Sequence, residues 1–338
     1  MSKVLCFGEL LLRLSPRLNK DWIQQASMPV YVGGAELNVA TALAKWDVPV
    51  KYVTALPNHY LSKEITETLK DKNIDVENIV VSQEGGRIGT YYLPQGADLK
   101  NAGVIYDREH SSFSQIQPGQ LDWEKILEDV SWFHFSAINP AINENIAAVC
   151  KEALEVASSK NITISIDLNY RAKLWQWAKQ PEKVMPELVS YCNIIMGNIW
   201  AAEKMLGIKI NPILKREKNE LLEESQKTSK VIMQQFQNCR QVANTFRFDE
   251  GEVLQYYATL FNGKQFLISK EHQTSITVDK VGSGDTFMAG LIYGNHNKLP
   301  AQEIIDFAAA AAFNKLFIKG DATTSTIEEI SKGYKQYG

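Results

Sequence analysis

The sequence predicts an α/β protein: a mostly parallel central sheet flanked by helices, with a small β-strand lid. Three observations predict it. Short apolar runs of strand length alternate with amphipathic helical stretches through most of the chain, the pattern of βαβ units. Two segments, at about residues 10–32 and 87–107, break that alternation with strand-like pieces and no crossover helix, and these read as the lid. The 338 residues contain no internal repeat and no low-complexity linker, which favours one large domain over 1–338.

The elements follow in order. KVLCF ends at Gly8 and reads as a buried strand. In GGAELNVATALAKW, Leu37, Ala40, Leu43 and Ala44 recur at helical spacing, so a helix is entered through two glycines. VKYVTAL then reads as strand and YLSKEITETLKDK as helix, SWFHFSAI as strand and NENIAAVCKEALEVASSK as amphipathic helix. ITISIDLN, PEKVMPELVSYC, NIIMGN and WAAEKMLG continue as strand, helix, strand and helix. Leu214 to Lys230 is densely charged with mixed signs and reads as a solvated surface helix or loop. RQVANTFRF, VLQYYATLF and KQFLISK read as consecutive antiparallel strands. They are separated by Asp249-Glu250-Gly251 and by Asn262-Gly263, a hairpin dipeptide. Two helical runs follow, TFMAGLIYG and AQEIIDFAAAAAFNKLF, and Ser325 with Glu328 predicts a capping box. In the lid, RIGTYYLPQGADLKNAGVIYD predicts two strands joined by a Pro/Gly turn. Apolar Trp22, Val30, Tyr31, Val32 and Tyr92 either pack on the domain or form the interface of a homo-oligomer, and assembly through the lid is the expectation.

Composition excludes several classes. Hydrophobic residues are 45% and charged residues 22%, the balance of a globular protein. A net charge of −3 gives no basic footprint, so nucleic acid is not an expected partner. No apolar run approaches the ~20 residues of a membrane span, and Glu9 interrupts the first apolar stretch with no cleavage site after it. Cys6, Cys150, Cys192 and Cys239 are far apart and do not cluster with the histidines in sequence. They read as buried, reduced thiols of a cytoplasmic protein.

The chemistry concentrates in VDKVGSGDTFMAG. Gly282, Ser283 and Gly284 precede a helix whose first turn holds Asp285. Glycines let a ligand approach the backbone, and the free amides and dipole of a helix start favour an anion. Such a site can hold the charge of a transferring phosphoryl group, and an aspartate beside it can take a proton from an attacking hydroxyl. Read alone, the same residues also fit a capped helix after a tight turn. Neither G-x-x-x-x-G-K-[ST] nor a G-x-G-x-x-G after a strand is present, so phosphate chemistry needs another scaffold.

Two motifs together supply one. VGGAELNVATALAKW is similar to the N-terminal G-G-x-x-x-N-x-A signature of the ribokinase-like (PfkB) family of carbohydrate kinases, and VDKVGSGDTFMAGLIYG to its C-terminal signature. Their order, separation and intervening βα alternation also match, so the resemblance covers essentially the whole chain. FGELLLRLSP, RIGTYYLPQGA, VIYDREHSSFS and DLNYRAKLW resemble the family's 2-keto-3-deoxygluconate kinase branch. The resemblance implies a ribokinase-like fold and ATP-dependent phosphorylation of a sugar acid's terminal hydroxyl, with Mg²⁺ screening the phosphates. It implies Asp285 as the base and Gly282, Ser283 and Gly284 as the anion hole. Gly33, Gly34, Asn38 and Asn169 would face the sugar, Tyr91 and Tyr106 would supply hydroxyls and a stacking surface, and Arg108 and Arg171 offer planar forks suited to a carboxylate. Asn198, Thr245, Arg247, Gly282 and Gly284 would face ATP, with the adenine near Ala308, Ala311 and Asn314. A neutral ketose or pentose acceptor, or a non-catalytic sugar-binding relative, are the alternatives.

Two positions depart from the family pattern. Its Asn-x-x-Glu would start at Asn198, but Ala201 stands where the acid belongs and the nearest acid is Glu203. Its glycine-rich turn after a strand threonine is replaced, after Thr245, by Phe246-Arg247-Phe248. The first departure puts the metal-ordering role in doubt; the second points to an arginine on phosphate or to an altered nucleotide pocket.

Overall fold

The computed structural model describes residues 2–82, 85–96, 103–177, 179–248 and 253–333. In chain order the elements are β1 Lys3–Phe7, β2 Leu11–Leu14, α1 Asp21–Gln24, β3 Val30–Gly33, α2 Ala35–Lys45, β4 Val50–Val53, β5 Ala55–Pro57, α3 Tyr60–Asp71, β6 Ile74–Asp75, β7 Val80–Ser82, β8 Gly89–Tyr92 and β9 Ile105–Asp107. They continue with α4 Trp123–Ile126, β10 Val130–Ser136, α5 Glu144–Ser159, β11 Thr163–Asp167, α6 Pro181–Val189, β12 Ile194–Gly197, α7 Ile199–Leu206 and α8 Lys218–Gln235. The last are β13 Gln241–Phe248, β14 Leu254–Phe261, β15 Phe266–Ile268, β16 His272–Thr274, α9 Ser283–His296, α10 Ala301–Lys315 and α11 Ile327–Lys332.

The main sheet runs β15-β14-β13-β12-β11-β10-β1-β4-β6, with β16 also on β14. From β13 to β6 every pairing is parallel; β14, β15 and β16 add antiparallel strands at one side. Strand periodicity explains the two cores. Along β1, Val4 and Cys6 enter one apolar cluster and Leu5 and Phe7 the other, so both faces of the sheet are covered. The first cluster is capped by α2, α9 and α10, the second by α4 to α7. Small residues set the spacing of α9 and α10. A Cβ on Gly290 would lie 2.6 Å from the Ala308 Cα, and one on Gly294 would lie 2.8 Å from Ile304.

The lid is a separate four-stranded sheet, β3-β2-β8-β9. It joins both sequence excursions, since β2 pairs β8 in parallel and Arg13 sits opposite Tyr91. Between β2 and β3 lies one turn of helix, α1, which the sequence did not suggest. The connection 97–102 and the Asp249-Glu250-Gly251 turn lie outside the described residues. Trp22, Val30 and Val32 are exposed on the lid, whereas Tyr31 stacks under Arg13, at 4.4 Å from ring centre to guanidinium carbon.

Three local expectations need correction. VKYVTAL is interrupted at Thr54, and β4 and β5 join different sheets. The charged segment forms α8, which runs to Gln235 and buries Leu221, Ser225, Thr228, Ser229 and Ile232, so it is half core rather than solvated throughout. Its polar residues are accommodated by bonds such as Ser225 to the Thr259 hydroxyl, 2.8 Å. The capping box is one residue later, on Thr326 and Glu329, because the Ser325 hydroxyl donates instead to Asn314 Oδ1 at 2.6 Å.

Candidate active site

Helices α2 and α9 point their N-termini into one cavity, and the carboxyl ends of β11 and β12 open into the same space. Open parallel sheets place ligands there, and converging helix starts make it a place for anions. Gly282 ends the preceding turn at φ 78°, where a side chain is disfavoured, and a Cβ there would fall 1.7 Å from the Asp321 carbonyl oxygen. No side chain caps α9, so its first amides are left for a ligand. Ser283 turns its hydroxyl away, onto the Ala312 carbonyl at 2.9 Å, while Gly284 is exposed to the cavity. Gly34, at φ 139°, packs against the Glu9 carbonyl and opens α2.

Asp285 projects from the first turn of α9 and does not cap it. Its Oδ2 accepts from Asn38 Nδ2 at 2.7 Å, joining the two helix starts. Burial raises its carboxyl to about 8; the Asn38 bond opposes this, while the charges of Asp167 and Glu36 add to it. Asp167, at the end of β11, is raised to about 6, chiefly by burial. Glu36 accepts from the Ser136 amide at 2.8 Å and is raised by burial to about 7. A carboxyl of this proton affinity sits near the working pH of a general base.

The predicted residues divide. Gly34, Asn38, Tyr91, Tyr106, Arg108, Asn169, Arg171, Asn198, Thr245, Arg247, Gly282, Ser283, Gly284 and Asp285 all line this cavity. Gly33 does not, because the Asp321 carboxylate occupies the space beside it, where a Cβ would come within 2.2 Å. Ala308, Ala311 and Asn314, expected beside the adenine, are also absent from the cavity wall: the alanines are fully buried in the core where α9 and α10 meet, and Asn314 is tied to Ser325. Small residues serve helix packing there rather than leaving room for a ring.

The arginines differ in freedom. Arg108 is buried and pairs with Glu9, which also accepts from the Ser111 hydroxyl. Among the described residues Arg171 makes no salt bridge, and its guanidinium donates to the Tyr170 carbonyl at 3.3 Å. The nearby Lys173 ammonium donates to the Val104 carbonyl of the lid at 2.9 Å, bracing the wall that carries Arg171. Asn198 caps α7 by accepting from the Ala201 amide at 2.8 Å, and Ala201 itself lines the cavity where an acid was looked for. The Phe246-Arg247-Phe248 departure continues β13 as strand: Phe246 stacks on Tyr257 at 4.9 Å, and Arg247 stands opposite Tyr256. Sequence reasoning missed Asp167, Tyr256 and Asp321, all in the cavity wall. Asp167 precedes Leu168-Asn169 in a quoted motif, whereas Asp321 carries no sequence signal.

Comparison with known proteins identifies the family. The model of the pfkB family carbohydrate kinases matches residues 1–326. The chain belongs to that family. The kinase is 37% identical to the 2-dehydro-3-deoxygluconokinase of Thermotoga maritima, whose crystal structure superposes with a TM-score of 0.87 over 98% of this chain and 97% of that one. It is 27% identical over 331 residues to the 2-dehydro-3-deoxygalactonokinase of Haloferax volcanii, covering 98% of this chain and 96% of the relative. The fold extends to a fructokinase with bound ATP from Xylella fastidiosa, at TM-score 0.74 and 17% identity over 98% and 97% of the two chains. Among the described residues, no helix of the kinase is long and apolar enough to cross a membrane. Among the same residues, no three metal-ligating side chains form a ready cage.

Proposed function

We propose that this kinase phosphorylates the terminal hydroxyl of 2-keto-3-deoxygluconate from ATP. The observation that carries the reading is that Asp285, an uncapped helix start, Arg108 and Arg171 line one cavity. The names of the two deoxy-sugar-acid kinases, each matched over nearly its full length, point to the same class of acceptor.

Asp285 takes the proton of the sugar hydroxyl as its oxygen attacks the γ-phosphorus, and the bond to the leaving β-phosphate oxygen breaks. Asn38 holds the carboxylate toward that hydroxyl. The amides of Gly282, Ser283 and Gly284 take up the charge of the transferring group, with the α9 dipole behind them. Arg171 binds the sugar carboxylate with its unengaged donors, and Arg108 adds charge while anchored by Glu9. Tyr91 and Tyr106, with ring centres 6.4 Å apart, cover the sugar from the lid and exclude water. Asn198, Thr245 and Arg247 face the nucleotide. Mg²⁺, when bound with ATP, would screen the phosphate charge. Such an ion keeps several waters and needs only one or two carboxylates, and Asp167, which lines the cavity, would supply one.

The kinase works in the cytoplasm and self-associates through the lid, whose Trp22, Val30, Val32 and Ile105 are exposed. A coupled kinase assay over 2-keto-3-deoxygluconate, its 3-deoxygalactonate epimer, fructose and ribose tests the reading. The acidic keto-deoxy sugars should be turned over with far higher kcat/KM; a preference for the neutral sugars would refute it.

A further inference from the structure

Asp321 lines the cavity but has no part in the roles above. Its side chain is 1% exposed. One carboxylate oxygen accepts from the Tyr91 hydroxyl at 2.8 Å. The other lies 2.8 Å from Arg13 Nε, an ion pair without hydrogen-bond alignment. Arg13 and Tyr91 sit opposite each other on β2 and β8, and the carboxylate also fills the space beside Gly33 at the end of β3. Asp321 therefore touches three of the four lid strands. On its other side, its carbonyl oxygen is packed on Gly282, the residue that opens α9.

A second acid reinforces the joint. Asp279 accepts from Arg13 at 2.6 Å and from the amides of Val281 and Gly320 at 3.1 Å each. The turn that carries Gly282 and the loop that carries Asp321 are thus both pinned to the lid arginine. Buried ion pairs are weak sources of stability compared with apolar packing, but they are directional. Here the directions run from a tyrosine in the sugar-facing wall to the glycine of the phosphate-facing turn.

We propose that Asp321 is a positioning residue that couples the lid over the sugar to the phosphate turn, so that each substrate tightens the binding of the other. The proposal rests on the kinase reading above. Coupling of this kind is reciprocal and amounts to about fivefold or more in affinity.

The test uses the full-length protein and calorimetric titration. Affinity for 2-keto-3-deoxygluconate is measured with and without the β,γ-imido analogue of ATP and Mg²⁺, and affinity for the analogue with and without the sugar. The wild type should show matching gains of about fivefold or more in both directions. Asp321→Asn keeps an acceptor for Tyr91 but loses the charge facing Arg13; it should bring both gains close to one and lower kcat, while each ligand alone still binds. Tyr91→Phe removes the other arm and should also reduce the gains, which decides the matter if the Asn variant does not fold. A merely structural Asp321 would lower Tm and leave the gains intact. That result, or a wild type with no gain, would overturn the proposal. A wild type that binds sugar and analogue but phosphorylates no sugar acid would instead refute the kinase reading.

Discussion

Asn38 donates to Asp285 across 2.7 Å, so the two helices that open the active site are joined at their first turns. The bond favours the ionised carboxylate, while burial and the charges of Asp167 and Glu36 favour the protonated one. The proton affinity of the proposed base is the outcome of that competition.

With the Asp285 carboxyl raised to about 8, kcat/KM should climb from pH 6 and level off above about pH 8. Asn38→Ala removes the hydrogen bond that, with the more distant charge of Arg171, lowers this affinity, so its rising limb should move to higher pH. Asp285→Asn should lose the limb altogether and about 10²–10⁴-fold in turnover while still binding sugar. Rate profiles from pH 5 to 9.5 check all three; an unchanged Asp285→Asn rate would remove the assignment.

Stability should move the other way. A carboxyl whose affinity is raised on folding binds its proton more tightly in the native state, so its contribution is greatest at low pH and is lost as pH rises through about 8. Asp285→Asn removes that penalty. It should melt at about the wild-type temperature near pH 4 and several degrees higher near pH 9. Scanning calorimetry at the two pH values reads the difference.

Arg171→Ala should raise KM for the keto-deoxy acid by about 10–100-fold, the worth of hydrogen bonds between charged groups, and leave neutral ketoses nearly unaffected. Arg108→Ala is a poorer probe, because it strands the buried Glu9 carboxylate. It should cost about 3–5 kcal/mol of stability, visible as a lower denaturant midpoint with any sugar. Equal losses on acidic and neutral sugars for Arg171→Ala would contradict its proposed role.

Gly282→Ala should abolish activity and lower stability together. Its φ of 78° costs an L-residue about 1–2 kcal/mol, and the new methyl would meet the Asp321 carbonyl at 1.7 Å. Gly284→Ala meets only the tip of Met196, at 4.0 Å, so it should keep its melting temperature while weakening nucleotide binding.

The alternation that builds the sheet was legible because it is local: KVLCF and GGAELNVATALAKW declare strand and helix by spacing alone. The cavity residues from Gly34 to Asp285 were legible because two short motifs contain many of them. Other features depend on distant partners. The buried side of α8 is polar in sequence and becomes core only through contacts such as Ser225 with Thr259. Alanines 308 and 311 offer equal room to a ring or a helix; in the fold both are fully buried, and Gly290 of α9 approaches Ala308 directly. The Arg13–Asp279 bond spans 266 residues, beyond any periodicity.

That span bears on how the enzyme comes into being. Chains emerge from the ribosome N-terminus first, and contacts between distant residues must overcome the entropy of closing long loops. Strands β1 to β12 can assemble before α9 and the Asp321 loop have been made. Arg13 must wait for Asp279 and Asp321, so the lid is locked only after some 266 further residues and more have been made. A nascent chain would carry the proposed sugar-reading tyrosines long before it could hold a phosphate beside them, and competence would wait for the α9 turn and the Asp321 loop.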